Sequence, residues 1–173
     1  MLDCTAIILT FNEESNIEQC ILSILDFCSR IVLVDSFSTD STVEIARRMG
    51  CDVYFHKFDN YSKQFNYGLK NTGIDTEWVL RIDADERLTP FAKKEIISKL
   101  SGNSVYSGVL IPFEVFFLGK RLKHGGIYPF KKLSLFKRQY AQMEEKNMDE
   151  HIVLSQGKIC LSKVFLNITI IRI

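Results

Sequence analysis

Apolar and polar positions change period several times along this chain. Residues 5–10, "TAIILT", form a short β-branched apolar run, which predicts a buried strand. The polar loop "FNEESN" follows. Ile17, Cys20, Ile21, Ile24, Leu25 and Cys28 then recur at i, i+3, i+4, i+7, i+8 and i+11, the spacing of an amphipathic helix. "RIVLVD" predicts a second buried strand and "SFSTD" a loop. Ser41 and Glu44 make an S-x-x-E capping box for a helix that runs to about Met49, and Gly50 suits the left-handed residue that ends it. "CDVYFH" predicts a third strand, residues 62–71 a weaker helix, and "TEWVLRI" a fourth strand. Thr89 and Pro90 read as N-cap and first residue of a helix reaching about Leu100.

This alternation predicts an α/β fold, with a mostly parallel central sheet flanked by helices on both faces. After Gly102 the alternation stops. "SGVLIPFEVFFLGKRL" and "KKLSLFKR" read as longer strands with no helix between them, so the C-terminal part is expected to be mixed or antiparallel. No linker composition separates the halves. One domain over residues 1–173 is therefore expected, a length that suits a single core.

Composition narrows the class. The chain is 46% hydrophobic and 25% charged, as in soluble globular proteins. A formal net charge of +1 gives no global argument for a nucleic-acid partner, and none is expected. The five cysteines form no C-x-x-C pair and read as those of a reduced, cytosolic protein. Neither a signal-peptide pattern nor an apolar run of transmembrane length occurs in the sequence.

In open α/β sheets, ligands bind beyond the carboxyl ends of the parallel strands. Thr10, Asn12, Glu13 and Glu14 follow the first strand. Asp35, Ser36, Ser38, Thr39 and Asp40 follow the second, and Asp83, Asp85 and Glu86 the fourth. Each loop alone also reads as a turn or a helix cap, since Ser, Thr and acids favour such places. Their convergence on one edge is the stronger signal. Asp83 and Asp85 share one side of an extended segment by the period of two, so both can face a hard divalent cation. Mg²⁺ is usually held by one or two carboxylates together with substrate phosphates. Other acidic and nucleotide-binding patterns fit poorly. A phosphatase-type D-x-D-x-[TV] would need Thr or Val where Arg87 stands, and it would follow the first strand. G-x-G-x-x-G, the P-loop, H-E-x-x-H and G-x-S-x-G are all absent.

The ordered segments "AIILTFNEESNIEQCILSI", "RIVLVDSFSTDSTVEIA" and "WVLRIDADERLT" resemble the family 2 glycosyltransferases, which have the GT-A fold. "VDSFSTDST" with "DADERLT" and "HGGIYPFKKLSLFKR" is similar to the bacterial subgroup acting on lipopolysaccharide core, O-antigen or capsule. The resemblance covers about residues 5–157. It implies that Thr10, Asn12 and Glu14 line the nucleotide pocket and that Asp35 contacts base or ribose. It implies that Asp83 and Asp85 bind the donor diphosphate through Mg²⁺ or Mn²⁺. Lys63, Gln64 and Asn66 match a stretch near the donor, though they fit a plain helix nearly as well. "MDEHIVL" is the segment comparable to the family's catalytic acid motif, so Asp149 and Glu150 are the candidate bases, with Asp149 slightly preferred.

The donor implied is a nucleotide sugar, a UDP-sugar first. The acceptor implied is lipid-linked or lipopolysaccharide, with inversion at the anomeric carbon. Residues 1–100 would bind the donor, and residues 101–173 would serve the acceptor and catalysis. The place implied is the cytoplasm, peripherally at the inner face of the membrane. The basic run Lys120, Arg121, Lys123, Lys131, Lys132, Lys137 and Arg138 reads most simply as a solvated face, and otherwise as a contact for donor phosphates or an anionic acceptor. His124 and His151 are secondary candidates. Family members usually run longer, so a C-terminal truncation is implied. A non-catalytic nucleotide- or partner-binding remnant is the competing class. A nucleotidyltransferase ranks third, because a Gly-rich N-terminal loop is lacking.

Overall fold

A computed structural model describes residues 1–102, 104–117, 120–121, 131–144, 151–163 and 166–170. In chain order the first elements are β1 (Leu2–Thr10), α1 (Ile17–Ile24), β2 (Cys28–Asp35), α2 (Thr42–Arg48), β3 (Asp52–Phe55) and α3 (Tyr61–Asn71). Next come β4 (Trp78–Arg81), β5 (Glu86–Arg87), α4 (Pro90–Leu100), β6 (Tyr106–Phe117), β7 (Lys120–Arg121) and β8 (Lys131–Lys137). The last are β9 (Ala141–Met143), β10 (Ile152–Leu154), β11 (Lys158–Leu161) and β12 (Leu166–Ile170).

The main sheet runs β3-β2-β1-β4-β8-β6-β12-β5, with β7 and β11 also paired to β6. β3, β2, β1 and β4 are mutually parallel. β8 lies antiparallel between β4 and β6, while β11 and β12 run parallel to β6. The mixed second half is thus as its longer strands lead one to expect. β9 and β10 pair separately as an antiparallel ribbon.

Two apolar clusters lie on the two faces of the sheet. Cys20, Ile21 and Ile24 of α1 and Ala92 and Ile96 of α4 pack with Ile8, Leu33, Leu80 and Leu135. Ile7, Val34 and Val79 pack on the other face with Phe65 of α3 and Phe136 of β8. The Phe65 and Phe136 rings meet edge-to-face at 6.2 Å, a pairing worth roughly 0.5–1.5 kcal/mol beyond area burial.

Two boundaries depart from the sequence pattern. α1 stops at Ile24 rather than continuing to Cys28, which opens β2 opposite Leu2. A single apolar position fits either period. The turn closed by Leu2 N–H donating to Phe27 O gives the backbone there to the sheet. The Ser41 capping box does not form. Ser41 sits near φ −77°, ψ 6°, outside the extended geometry of a side-chain cap. Asp40 replaces it, its Oδ1 accepting from Thr42 N at 3.0 Å. Thr89 does cap α4, its side chain accepting from Ala92 N, with Pro90 in the first turn. Gly50 takes φ +82°, as its place after α2 requires.

A β-bulge decides where β8 points its side chains. Val109 pairs with Leu135 but Leu110 pairs with Leu133, so Ser134 is the extra residue. Leu133 therefore falls into the cluster of Phe65 and Phe136, while Leu135 belongs to the opposite face. Lys132, opposite Ile111, follows Leu135 to the α1 and α4 side.

Candidate active site

The carboxyl ends of β1 and β2 form a tightly bonded corner. Asp35 is fully buried. Its Oδ2 accepts from Thr10 Oγ1 at 2.8 Å and Ser38 Oγ at 2.6 Å, and its Oδ1 accepts from Ser38 N at 2.7 Å. Asn12, in the left-handed region at φ 54°, accepts from Thr39 N at 2.8 Å through Oδ1. Glu14 Oε2 accepts from Ser41 N at 3.0 Å. Of the residues expected in a nucleotide pocket, Asn12, Glu14 and Asp35 thus brace the two loops against each other. Thr10 does so too while lining a cavity.

That cavity, about 390 Å³, opens beside the corner. Leu9, Thr10, Glu13 and Ser36 form its floor, and exposed Phe11, Phe58 and Tyr61 its rim. Phe58 and Tyr61 meet edge-on at 5.3 Å. Gln64 also lines it, held by Nε2 donating to Ser36 Oγ and His56 O at 3.0 and 3.1 Å. A polar floor under aromatic rims suits a flat heterocycle with a polar edge. Lys63 is exposed and paired to Asp59, which lies just before its helix. Asn66 is buried, and its amide brackets Met143, donating to the backbone O at 3.1 Å and accepting from the N at 3.3 Å. Of the three residues matched on α3, Gln64 alone lines this cavity.

The acids after β4 are divided by one cation. Lys132 Nζ donates to Asp83 Oδ2 at 2.9 Å and to Glu86 Oε1 at 2.8 Å. Glu86 Oε2 also accepts from Asp83 N at 3.0 Å. Glu86 is buried, whereas the Asp83 side chain is 39% exposed. Burial raises the Glu86 carboxyl to about 7 against the pull of Lys132, with the Asp83 charge adding to the rise. Asp83 is also opposed by burial, yet Lys132 and Arg81 hold it below its ordinary value. Lys132 is itself desolvated, and its two acids keep it above the usual ammonium range.

Asp85 differs from its neighbours. Its carboxylate has no hydrogen bond or ion pair to another side chain among the described residues. Burial, then the Asp83 charge, then the Glu13 charge push its carboxyl upward. A half-buried carboxylate near two other acids, with no ion pair of its own among the described residues, could partner an added divalent ion. No group of three or more metal-ligating side chains occurs among the described residues.

Lys132 carries the strongest signal that the sequence pattern missed. Its place in a basic run suggested a solvated face, and the bulge at Ser134 redirects it. Arg81, Phe58 and Tyr61 were absent from the expected set. Asp149 and Glu150, with Lys123 and His124, lie outside the described residues. So do the side chains of Lys120 and Arg121. His151 lines a second cavity of about 500 Å³ with Arg81, Asp83, Glu86 and Lys132.

The model of the family described as "Glycosyl transferase family 2" matches residues 5–165. This chain belongs to that family. A Rickettsia bellii protein named an uncharacterized glycosyltransferase is 37% identical over 92 residues, 53% of this chain and 31% of its own length. The Rhizobium meliloti lipopolysaccharide core biosynthesis glycosyltransferase LpsC is 24% identical over 163 residues, 91% of this chain and 59% of its own. The chain therefore spans less than two thirds of those relatives. Among solved structures, Staphylococcus aureus TarS superposes with a TM-score of 0.66 at 17% identity, covering 98% of this chain and 60% of that one. Glucosyl-3-phosphoglycerate synthase of Mycobacterium tuberculosis, in complex with Mn²⁺ and UDP-glucose, gives 0.50 at 22% identity, over 67% and 44%. These likenesses show the GT-A fold. No helix among the described residues is long and apolar enough to cross a membrane.

Proposed function

We propose that this chain moves a sugar from a nucleoside-diphosphate donor, a UDP-sugar first, to a hydroxyl of a bacterial surface-polysaccharide acceptor, with inversion and assisted by a divalent cation. The observation that carries the reading is the split among the three acids. Lys132 bridges Asp83 and Glu86, whereas Asp85 makes no ion pair among the described residues and feels the charge of Glu13, which lines the aromatic-rimmed cavity. Asp85 would hold Mg²⁺ or Mn²⁺, with Asp83 behind it. Bound there, the ion would supply Lewis-acid compensation for charge building on the leaving diphosphate.

The chain's own residues supply the rest. Phe11, Phe58 and Tyr61 offer faces for the base, while Ser36 and Gln64 offer polar atoms at its edge. The Asp35 corner keeps the β1 and β2 loops in place for it. An acid takes the proton from the attacking hydroxyl. Asp149 and Glu150 are our candidates. Direct displacement needs no enzyme nucleophile. Residues 1–100 serve the donor and residues 101–173 the acceptor in this reading. The likeness to LpsC, a lipopolysaccharide core biosynthesis glycosyltransferase, supports a lipopolysaccharide or lipid-linked acceptor. A cytoplasmic position at the inner membrane face follows from such an acceptor.

The test is release of UDP from a panel of UDP-sugars with Mn²⁺. Wild type should release UDP, and Asp85→Ala should lower the rate by about two orders of magnitude or more, as losing a transition-state electrostatic group does. Equal rates in the two proteins would contradict the metal assignment. Donor binding without release from any donor would instead fit a non-catalytic binding domain.

A further inference from the structure

The second cavity has two chemically different walls. Asp83, Glu86 and Lys132 form one, with Lys132 already engaged by its two contacts to the acids. Arg81, Lys131 and His151 form the other, from β4, β8 and the residue just before β10. The period of two sets Arg81 on the side of Val79 and Lys131 on the side of Leu133, the face where Ile152 also packs. Three cationic or proton-bearing groups from three elements thus converge.

None of the three has an ion-pair partner among the described residues. Arg81 Nε is buried with no hydrogen-bond acceptor. Its guanidinium lies 5.8 Å from the centre of the Phe65 ring, which restricts its plane. A guanidinium stays charged at any working pH and offers several donors in a fixed fork. Leaving one of them buried and unpaired is unfavourable, and an oxyanion entering the cavity would remove that penalty.

We propose that this wall is an anion subsite for the acceptor, taking a phosphate or carboxylate group that the acceptor carries near its reacting hydroxyl. Arg81 is the anchor and Lys131 the second cation. The inference rests on the transferase reading for the word acceptor, while anion binding itself is measured separately. An uncharged sugar lacks the group that Arg81 awaits, so the preferred acceptors are phosphorylated or acidic sugars.

The test titrates inorganic phosphate, glucose 6-phosphate, glucuronate and glucose into the full chain already saturated with UDP and Mn²⁺, read by calorimetry. One or more of the anionic probes should bind and glucose should not. The relative strengths of glucose 6-phosphate and glucuronate distinguish a phosphate source from a carboxylate source. Arg81→Gln should weaken anion binding by about tenfold or more, Arg81→Lys should restore part of it, and UDP affinity should stay within about a factor of two in both. Anion binding that UDP displaces would assign the wall to the donor's own diphosphate and overturn the proposal. Anion binding unchanged in Arg81→Gln, or absent from wild type, would overturn it too. Failure of UDP itself to bind would instead count against the donor reading, and phosphate titrated without UDP would still test Arg81.

Discussion

Asp35 and Glu86 are both buried carboxylates at strand ends, yet they are held by opposite means. Asp35 is held by neutral donors from its own loop and the adjacent strand end. Glu86 depends on one ammonium, Lys132, from 46 residues further along the chain. The first arrangement is local, redundant and rigid. The second depends on a single side chain from the other half of the chain, which offsets part of the repulsion between Asp83 and Glu86. Losing one hydroxyl from the first leaves two bonds; losing Lys132 leaves the second with no cation.

The largest effect should therefore come from Lys132→Met. Removing one partner from a buried ion pair strands the other charge, at about 3 kcal/mol in such cases. Glu86 carries most of this, because Asp83 is 39% exposed and its pair is screened by water. Urea unfolding at pH 7 in EDTA should give a loss of about 2–4 kcal/mol. A loss below about 0.5 kcal/mol would put this pair with ordinary surface contacts.

Stability against pH gives the next test, because Glu86 contrasts with a carboxylate remote from both cavities. Glu86 sits at about 7 when folded, above its ordinary value. Its contribution is fully present below its unfolded value and is lost as pH rises through about 7. Glu95 accepts from Ser162 Oγ and Lys163 N and faces Lys99, and despite some burial it is lowered to about 2. Its contribution is present above its unfolded value and is lost as pH falls toward 2. In EDTA, Glu86→Gln should flatten the fall in stability between about pH 5 and 7, on the order of 2 kcal/mol. Glu95→Gln should destabilise by about 1–3 kcal/mol at pH 7 and by nothing near pH 2. Slopes of the same sign for both residues would erase the contrast.

Smaller changes probe the local corner. Ser38→Ala removes one of the three donors to Asp35 and the acceptor of Asn12 N, and should destabilise by about 1–2 kcal/mol in urea unfolding. A change within about 0.3 kcal/mol would make the corner less rigid than its bonds imply. Tyr61→Ala, at the exposed rim of the first cavity, should weaken UDP binding several-fold, by about 1 kcal/mol, with stability unchanged. Unaltered UDP affinity would move the base away from that rim.

The same contrast explains what could be read in the sequence. Strands β1 to β4 and helix α4 follow from local period, caps and turn residues, and each is satisfied by neighbours in sequence. Cys28 was misplaced because one apolar residue fits two periods. Ser41 was misread because its neighbour Asp40 competes for the same orphan N–H groups. The acids of "DADE" are visible as a cluster, but their division into Asp83 with Glu86 against Asp85 is not. It depends on Lys132, whose direction is set by one extra residue in a strand paired to two others. The basic wall of Arg81, Lys131 and His151 was hidden for the same reason: its members are separated in sequence and meet only through sheet order.

The central claim is that Asp85 is the acid reserved for a cation that binds with the donor. Calorimetric titration of UDP in Mn²⁺ and in EDTA, for wild type and Asp85→Ala, measures it directly. Wild type should bind UDP at least about tenfold more tightly with Mn²⁺ than with EDTA, and Asp85→Ala should lose that difference. A Mn²⁺ effect of the same size in both proteins would contradict the claim.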